Sequence, residues 1–198
     1  MLCATASKVG LIPLVCGRTQ VVFGAGAADA DLMFIGEGPG EDEDRLGEPF
    51  VGKKPNQAGA KLDERLQANK IRRDEVFITN VVMCRPTRID VNGVKKNRAP
   101  EPCEIQNCAT WLADQALLVN PKVVVPLGVP AANQVLGWKV TMRDVHGQIF
   151  PGEGQIWGGR VIIPTYHPSG GYTQSERDAF RDDFETIGEV YRQMKRQG

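Results

Sequence analysis

The chain has 198 residues, 41% of them hydrophobic, and its 24 Lys and Arg residues balance 24 Asp and Glu residues. This length fits one sizeable core, and we expect a single domain over residues 1–198. A net charge of zero identifies no partner, so a nucleic-acid surface would have to be a local basic patch. No apolar run reaches the roughly 18 to 20 residues of a membrane span and no signal-peptide pattern is present, so we expect a cytoplasmic protein without membrane contact.

Short apolar runs rich in Val and Ile alternate with segments of helical periodicity along the chain. We predict strands over residues 32–35, 76–82, 123–128 and 161–165, and helices over residues 58–70, 104–120, 130–137 and 175–196. The Gly-rich stretch 147–160 predicts a hairpin or meander before the last strand. Because parallel strands require crossover connections, this order predicts an α/β fold with a parallel sheet and helices on both faces.

Residues 84–102 have no apolar period and are punctuated by Pro, Gly and Asn, which predicts a long loop. The basic residues of this segment form either a phosphate-contact patch or an ordinary solvated surface. They are Arg85, Arg88, Lys95, Lys96 and Arg98.

The five cysteines comprise an early pair, Cys3 and Cys16, and three around the predicted loop, Cys84, Cys103 and Cys108. Without an export signal we expect no disulfide framework, which leaves buried free thiols or metal binding. The chain has no CxxC pair, so zinc-ribbon spacing is absent. A four-thiolate iron–sulfur site would hold both the irregular N-terminus and the loop.

The predicted strands end at residues 36–40, Asn80, Gly128 and His167. In open α/β sheets the ligand crevice lies outside the carboxyl ends of the strands, so we expect these residues to converge on one pocket. The Gly-rich turn 36–40 lets the backbone pass close to a ligand. Alternatively, it is an ordinary strand-to-helix loop whose acidic residues begin the next helix.

Several side chains have both a functional and a structural interpretation. His167 lies in a His-Pro-Ser-Gly-Gly turn directly after a buried strand and is expected in the pocket, whereas His146 fits a structural or surface role. The Asn80 amide suits a planar heterocycle with paired donors and acceptors, or it forms a turn. Phe50 is either a core aromatic or a platform on which a base stacks.

Seven motifs occur in order: VVFGAG, GEGPGEDED, GEPFVG, FITNVVMCRP, NRAP, VVVPLG and YHPSGG. Together they resemble the family 4 uracil-DNA glycosylases, the iron–sulfur members of the uracil-DNA glycosylase superfamily. The resemblance implies a three-layer α/β/α sandwich around a four-stranded parallel sheet. It also implies a DNA-repair enzyme that hydrolyses the N-glycosidic bond of deoxyuridine in single- and double-stranded DNA. Free uracil would leave, and an abasic site would remain for base-excision repair.

The resemblance also implies roles for individual residues. It places Glu37 and Gly38 in the first family motif, next to the substrate. Phe50 would stack on uracil, Asn80 would read its edge, and His167 would face its O2 atom. Such donors would stabilise the negative charge that uracil acquires only as the glycosidic bond breaks.

Further roles follow from the same resemblance. Ser169 belongs to the second motif beside the substrate. The chain departs from the family at the water-handling residue, for which Glu37 and Glu43 are our candidates, and in its second motif, after which Tyr172 is our candidate for filling the gap left by a flipped base. The basic residues of the loop would contact DNA. A structural [4Fe-4S] cluster would bind Cys3, Cys16, Cys84 and Cys108, with Cys108 favoured over Cys103 by its distance from the NRAP motif. In the family the first two ligands form a close pair, whereas Cys3 and Cys16 lie far apart.

We expect a monomer, and two other functions are compatible with the sequence. One is a non-catalytic module of the same fold that senses a base in DNA without cleaving it, since Gly38 stands where other uracil glycosylases carry a water-orienting Asp. The other is a glycosylase for a different deaminated base, such as hypoxanthine or xanthine.

Overall fold

The computed structural model describes residues 18–170 and 173–197 of the protein. The strands are β1 (Ala25–Gly26), β2 (Leu32–Gly36), β3 (Phe77–Asn80), β4 (Thr87–Ile89), β5 (Lys95–Asn97), β6 (Val123–Pro126), β7 (Phe150–Pro151) and β8 (Val161–Ile162). The α-helices are α1 (Glu41–Leu46), α2 (Ala58–Ala68), α3 (Pro102–Val119), α4 (Val129–Leu136), α5 (Met142–Val145), α6 (Gly154–Trp157) and α7 (Gln174–Gln197). The four predicted long helices correspond to α2, α3, α4 and α7.

The main sheet has the strand order β1-β3-β2-β6-β8-β7. Its four inner strands are parallel, and Phe34 at the centre lies opposite Ile78 of β3 and Val125 of β6. The short edge strands β1 and β7 are antiparallel to their neighbours. The predicted four-stranded parallel sheet is therefore confirmed, with two edge strands added. The chain turns from one side of β2 to the other between β3 and β6, which makes the carboxyl end of β2 a switch point where ligands bind.

The central strand β2 is buried on both faces, because its alternating side chains enter two separate cores. Leu32 and Phe34 point to the side covered by α2 and α7, where Phe34 stacks on Phe184 with ring centroids 5.8 Å apart. Met33 and Ile35 point to the side covered by α3 and α4. Helices on both faces of the sheet give the expected α/β/α sandwich.

The prediction of a long loop over residues 84–102 is wrong for its central part, where β4 and β5 form an antiparallel hairpin. One oxygen of Asp90, Oδ1, accepts hydrogen bonds from the backbone N–H groups of Asn92 and Val94, at 2.9 Å each. Gly93 adopts φ +75°, as a tight turn requires. The hairpin was missed because buried and exposed side chains do not alternate along its strands. Its sequence therefore lacks the two-residue period that identifies a strand.

Two smaller details also differ from the sequence prediction. The strand predicted over residues 161–165 is shorter in the structure, where β8 covers only Val161–Ile162. Thr165 still forms an isolated β-bridge with Leu127. The predicted hairpin or meander over residues 147–160 pairs β7 with β8 and contains the short helix α6. Among the described residues, no helix is both long and apolar enough to cross a membrane.

Candidate functional site

A cavity of about 930 Å³ lies at the carboxyl ends of the inner strands. Its walls come from four places in the sequence: the Gly-rich turn after β2 with the start of α1, the segment leading into α2, the base of the β4–β5 hairpin, and the turn after β8. The residues that line it include Glu37, Gly38, Glu43, Phe50, Lys54, Asn97, His167 and Ser169. The predicted convergence of strand ends is present in part: residues 37–40 and His167 line the cavity, whereas Asn80 and Gly128 are not among its lining residues.

Asn80, the last residue of β3, is 1% exposed, and both its side-chain Oδ1 and Nδ2 atoms have no hydrogen-bond partner among the described residues. The amide faces Gly36 at the end of β2, where an added Cβ would collide with Asn80 Oδ1 and come within 2.7 Å of the Phe50 ring. An unpaired buried polar group costs about 1–3 kcal/mol, so the amide is set up for a ligand that satisfies it. Gly36 keeps the space between amide and ring open.

Phe50 is 3% exposed and has φ +54°, a backbone conformation that is strained for a bulky residue. Its backbone N–H donates to Glu43 Oε1 at 2.8 Å, and its carbonyl accepts from the Arg73 guanidinium at 3.0 Å. Gly59 in α2 packs directly on the same carbonyl, which leaves no room for a Cβ. These contacts hold the Phe50 ring at the cavity wall.

The carboxylate of Glu43 is occupied on both sides, because its second oxygen accepts a hydrogen bond from the backbone N–H of Gly40. Glu43 therefore joins the Gly-rich turn to Phe50. Burial raises the pKa of Glu43, and the two N–H groups act against this rise. The Gly40 N–H is used in this contact.

Glu37 is half-buried and lines the same cavity, and its carboxylate has no hydrogen-bond partner among the described residues. Burial raises its pKa above the ordinary value. Of the two acidic residues that were candidates for handling water, Glu37 has oxygens open to the cavity, whereas those of Glu43 hold the backbone.

His167 follows β8 and lies against Phe50, with ring centroids 5.8 Å apart. The backbone N–H of Ser169 donates to His167 Nδ1 at 3.2 Å, and the Ser169 hydroxyl lies 2.8 Å from the same nitrogen. Because a backbone N–H can only donate, Nδ1 is an acceptor and the ring proton of the neutral imidazole is on Nε2. Burial lowers the pKa of His167 to about 4, so the ring is a neutral donor at physiological pH. The base of the His167 side chain also packs on Gly128, where an added Cβ would lie 3.0 Å from the Cβ of His167.

The segment between Phe50 and α2 forms part of the cavity rim, where Lys54 and Asn56 line the opening. Gln57 fixes this segment, because its amide donates to Asp42 of α1 at 2.7 Å and accepts from the Lys54 backbone at 2.9 Å. The segment therefore places polar groups at the mouth of the cavity.

The five basic residues of segment 84–102 separate into two groups. Arg85 is 5% exposed and donates to Asn97 Oδ1 at 2.7 Å, and Arg98 pairs with both carboxylate oxygens of Glu104 at 2.7 Å. These two side chains fix the base of the hairpin. Arg88 and Lys96 are exposed on it, and Lys95 is half-buried. Tyr172, the candidate for filling a gap in DNA, lies outside the described residues.

Cys84 and Cys108 lie in the core, 4% and 3% exposed, as free thiols. Cys108 Sγ accepts from the backbone N–H of Met83 at 3.5 Å, and Cys84 Sγ accepts from Arg18 at 2.8 Å. Burial raises the pKa of both thiols. Contrary to the expectation of no disulfide, Cys103 is disulfide-bonded. Cys3 and Cys16 lie outside the described residues, and those that are described contain no group of three or more His, Cys, Asp or Glu side chains that could bind a metal ion.

Residues 23–188 match the family model of the uracil DNA glycosylase superfamily. The chain is 42% identical over 164 residues to the type-4 uracil-DNA glycosylase of Thermotoga maritima, covering 82% of this chain and 77% of that protein. It is 37% identical over 179 residues to the type-4 enzyme of Archaeoglobus fulgidus, covering 87% and 83%. The chain belongs to the uracil-DNA glycosylase superfamily. This confirms the resemblance found in the motifs.

A solved structure of low sequence identity has a similar fold. The crystal structure of Pedobacter heparinus SMUG2 superimposes with a TM-score of 0.56 at 15% identity, covering 85% of this chain and 77% of that one. At this identity the comparison supports the α/β/α fold alone.

Three contacts that build the site were not predicted from the sequence. They are the Glu43 bonds to both loops, the Arg73 bonds to the carbonyls of Pro49 and Phe50, and the close packing of Gly59. The only available signal was the glycine at the second position of α2, which is a poor helix former and therefore indicates a close approach.

Glu43→Gln is expected to lower the free energy of unfolding by about 1–3 kcal/mol, because an amide can accept only one of the two backbone N–H bonds and its NH₂ faces the other donor. Glu48→Gln is the matched control, since Glu48 is exposed and has no bond to either loop. Urea denaturation of both variants measures the effect. Equal stability of Glu43→Gln and the wild type would contradict this role of the Glu43 carboxylate in joining the Gly-rich turn to Phe50.

His167 is expected to stay neutral, as the Nε2–H tautomer, at about pH 5.5, below the ordinary histidine pKa of 6.5. As the pH falls from 6.5 towards about 4, the unfolded chain binds a proton that the folded protein does not, so the free energy of unfolding falls. NMR of the ring nitrogens measures the titration, and a His146→Gln variant assigns the two histidines. Half-protonation of His167 near pH 6.5 would disprove the burial effect.

Proposed function

We propose that this protein is a uracil-DNA glycosylase that hydrolyses the N-glycosidic bond of deoxyuridine in DNA during base-excision repair. The observation that carries this proposal is the buried Asn80 amide, whose donor and acceptor are both unpaired beside the Phe50 ring. Uracil presents a neighbouring N3–H donor and O4 acceptor, which one amide can satisfy together. The names and extent of the type-4 relatives support the same activity.

A base inside a duplex is shielded, so the deoxyuridine must first leave the base stack, at a cost of a few kcal/mol. Stacking on the Phe50 ring, at about 1–3 kcal/mol for a base on an aromatic side chain, offsets part of this cost. The strained Phe50 backbone is held before substrate arrives, so little further ordering is needed on binding.

Cleavage breaks the bond between C1′ and N1 and leaves the electron pair on uracil. The His167 Nε2–H donates a hydrogen bond to uracil O2, where negative charge develops in the transition state. A neutral imidazole is suited to this role because its Nε2–H stabilises the anion by a hydrogen bond, and no proton has to be transferred to uracil for the bond to break. Glu37 orients the water, whose hydroxide adds to C1′ while its proton passes to the carboxylate, and the uracil anion is then protonated to free uracil.

At the pocket, Gly38 lets the turn pack closely on Val82, since an added Cβ would lie 2.7 Å from the Val82 side chain. Ser169 orients His167, and Glu43 positions Phe50 rather than acting on the water. Arg88, Lys95 and Lys96 contact DNA phosphates, with Arg85 and Arg98 holding the hairpin that carries them. We further propose that the protein is a single-domain monomer that acts in the cytoplasm.

The resemblance to the iron–sulfur family leads us to propose a [4Fe-4S] cluster held by Cys84, Cys108, Cys3 and Cys16, which requires that the disulfide of Cys103 is reduced when the cluster is bound. The two described ligands fit, because their thiols are buried near each other and neither is oxidised to a disulfide. The cluster would be structural and supply no chemistry to the reaction. It would join the N-terminal segment to the segment that follows β3 and to α3.

Wild-type protein is expected to release uracil from a single-stranded oligonucleotide, so that alkali then cuts the strand, while a thymine oligonucleotide stays intact. Asn80→Ala and His167→Ala are each expected to lower the rate by about 10²-fold or more, because each removes a donor aimed at the developing anion. Asn69→Ala, at the far end of α2, is the matched control.

No cleavage by the wild type would disprove the glycosylase, and retained binding to uracil DNA would then favour a base-sensing module. Faster release of hypoxanthine or xanthine from matched oligonucleotides would make a purine lesion the main substrate.

Cys108→Ser is expected to lose the brown colour, iron and sulfide of the purified protein, whereas Cys103→Ser is expected to keep them, because only Cys108 lies in the core beside Cys84. Iron and sulfide analysis of protein purified without oxygen measures both variants. An absence of iron from wild-type protein purified in this way would disprove the cluster.

A further inference from the structure

The β4–β5 hairpin carries a row of exposed apolar side chains that the proposed function does not use. Val91 at its tip is 100% exposed, Ile89 is 66% exposed and Val94 is 46% exposed. Most exposed apolar residues on a soluble protein are scattered, whereas these three lie within six residues of one another on a projecting turn.

The tip is a fixed turn and not a loose loop. Asp90 accepts from the backbone of Asn92 and Val94 through Oδ1, and its own N–H donates to the Val94 carbonyl at 2.9 Å. The Gly93 N–H closes the turn on the Asp90 carbonyl at 3.0 Å. Val91 is therefore presented to solvent on a rigid support.

One face of the same hairpin carries two positive charges that no described carboxylate neutralises. Arg88 on β4 lies directly opposite Lys96 on β5, and neither makes an ion pair with any described residue. Like charges directly opposite on paired strands are destabilising, and a bound phosphate would remove the repulsion. A cationic face beneath an apolar tip matches the charged backbone and stacked bases of duplex DNA.

The base of the hairpin is part of the pocket wall, since Pro86, Asn97 and Arg98 line the cavity. Arg85 clamps the two arms, and Glu41 of α1 lies 3.6 Å from the Arg85 guanidinium. Val91 is four residues beyond Thr87, which at about 3.3 Å per strand residue places the tip within roughly 13 Å of that wall. This reach is comparable to the width of a DNA groove.

We propose that the hairpin is a second DNA wedge of this protein, in addition to the Tyr172 candidate of the second motif: Val91, with Ile89 and Val94 beside it, enters the base stack next to the extruded nucleotide while Arg88 and Lys96 bind the flanking phosphates. The inference rests on the proposed glycosylase function and identifies duplex DNA as the partner of this surface. Apolar side chains that enter a base step unstack it and keep the displaced base from returning.

A wedge matters only when a base must be held out of a duplex. Val91→Ala is therefore expected to lower kcat/KM about tenfold on a uracil-containing duplex and to leave it within about twofold on the same strand alone. Val91→Leu, which keeps an apolar side chain, is expected to retain duplex activity. Leu118→Ala is the matched control, because Leu118 is also 82% exposed but lies near the far end of the 18-residue helix α3.

Binding gives a second readout that does not depend on cleavage. A duplex with 2′-fluoro-deoxyuridine, which resists hydrolysis, and a neighbouring 2-aminopurine is expected to brighten on binding the wild type, and to brighten less with Val91→Ala. Arg88→Ala combined with Lys96→Ala is expected to reduce the salt slope of binding by about two, since each phosphate contact contributes about 0.9. Lys139→Ala, beyond the C-terminal end of α4, is the control for charge.

Equal loss of activity on single- and double-stranded substrates for Val91→Ala, or no loss on either, would overturn the wedge while leaving the glycosylase intact. An unchanged salt slope for the double variant would overturn the phosphate contacts. Failure of the wild type on the single strand would instead be a failure of the proposed function.

Discussion

The carboxylate of Glu43 is the contact on which the pocket depends, because it is the only side chain described that bonds to both the Gly-rich turn and Phe50. The Gly-rich turn leads into α1, and Phe50 follows this helix. The short helix α1 therefore separates two loops that must approach the same ligand. Two backbone N–H groups converge on one buried carboxylate, which offsets part of the strain at Phe50. A rigid aromatic wall is thereby formed before any ligand binds.

The sheet determines where this wall stands. Four parallel strands end at one edge, and the chain crosses from one side of β2 to the other at that edge, which opens a crevice. Gly36, Asn80, Gly128 and His167 follow the strands into it. Two of these are glycines for steric reasons, since a Cβ at Gly36 would meet the Asn80 amide and one at Gly128 would press on His167. The core on both faces of β2 gives these short ends a fixed frame.

The electrostatics of the pocket follow from burial and from the partners of each group. Glu43 is satisfied by backbone donors, Glu37 faces open space with a raised pKa, and His167 is neutral with its proton on Nε2. The same imidazole exposed on a surface would be partly charged near neutral pH. Because the protein fixes the states of these groups beforehand, the pocket presents a neutral donor on one side and a carboxylate on the other.

The sequence by itself determined the α/β class, the four inner strands, the long helices and the positions of Asn80 and His167 at or after strand ends, because buried strands and helices leave local periods and strand ends are read directly from them. The ordered motifs added the family. Only the tertiary structure showed that Glu43 holds Phe50, that Asn80 is left unpaired, that Arg85 and Arg98 are internal, and that residues 87–97 form a hairpin. Each of these depends on contacts between segments distant in sequence, or on a solvent-exposed turn with no burial pattern, and neither leaves a local signal.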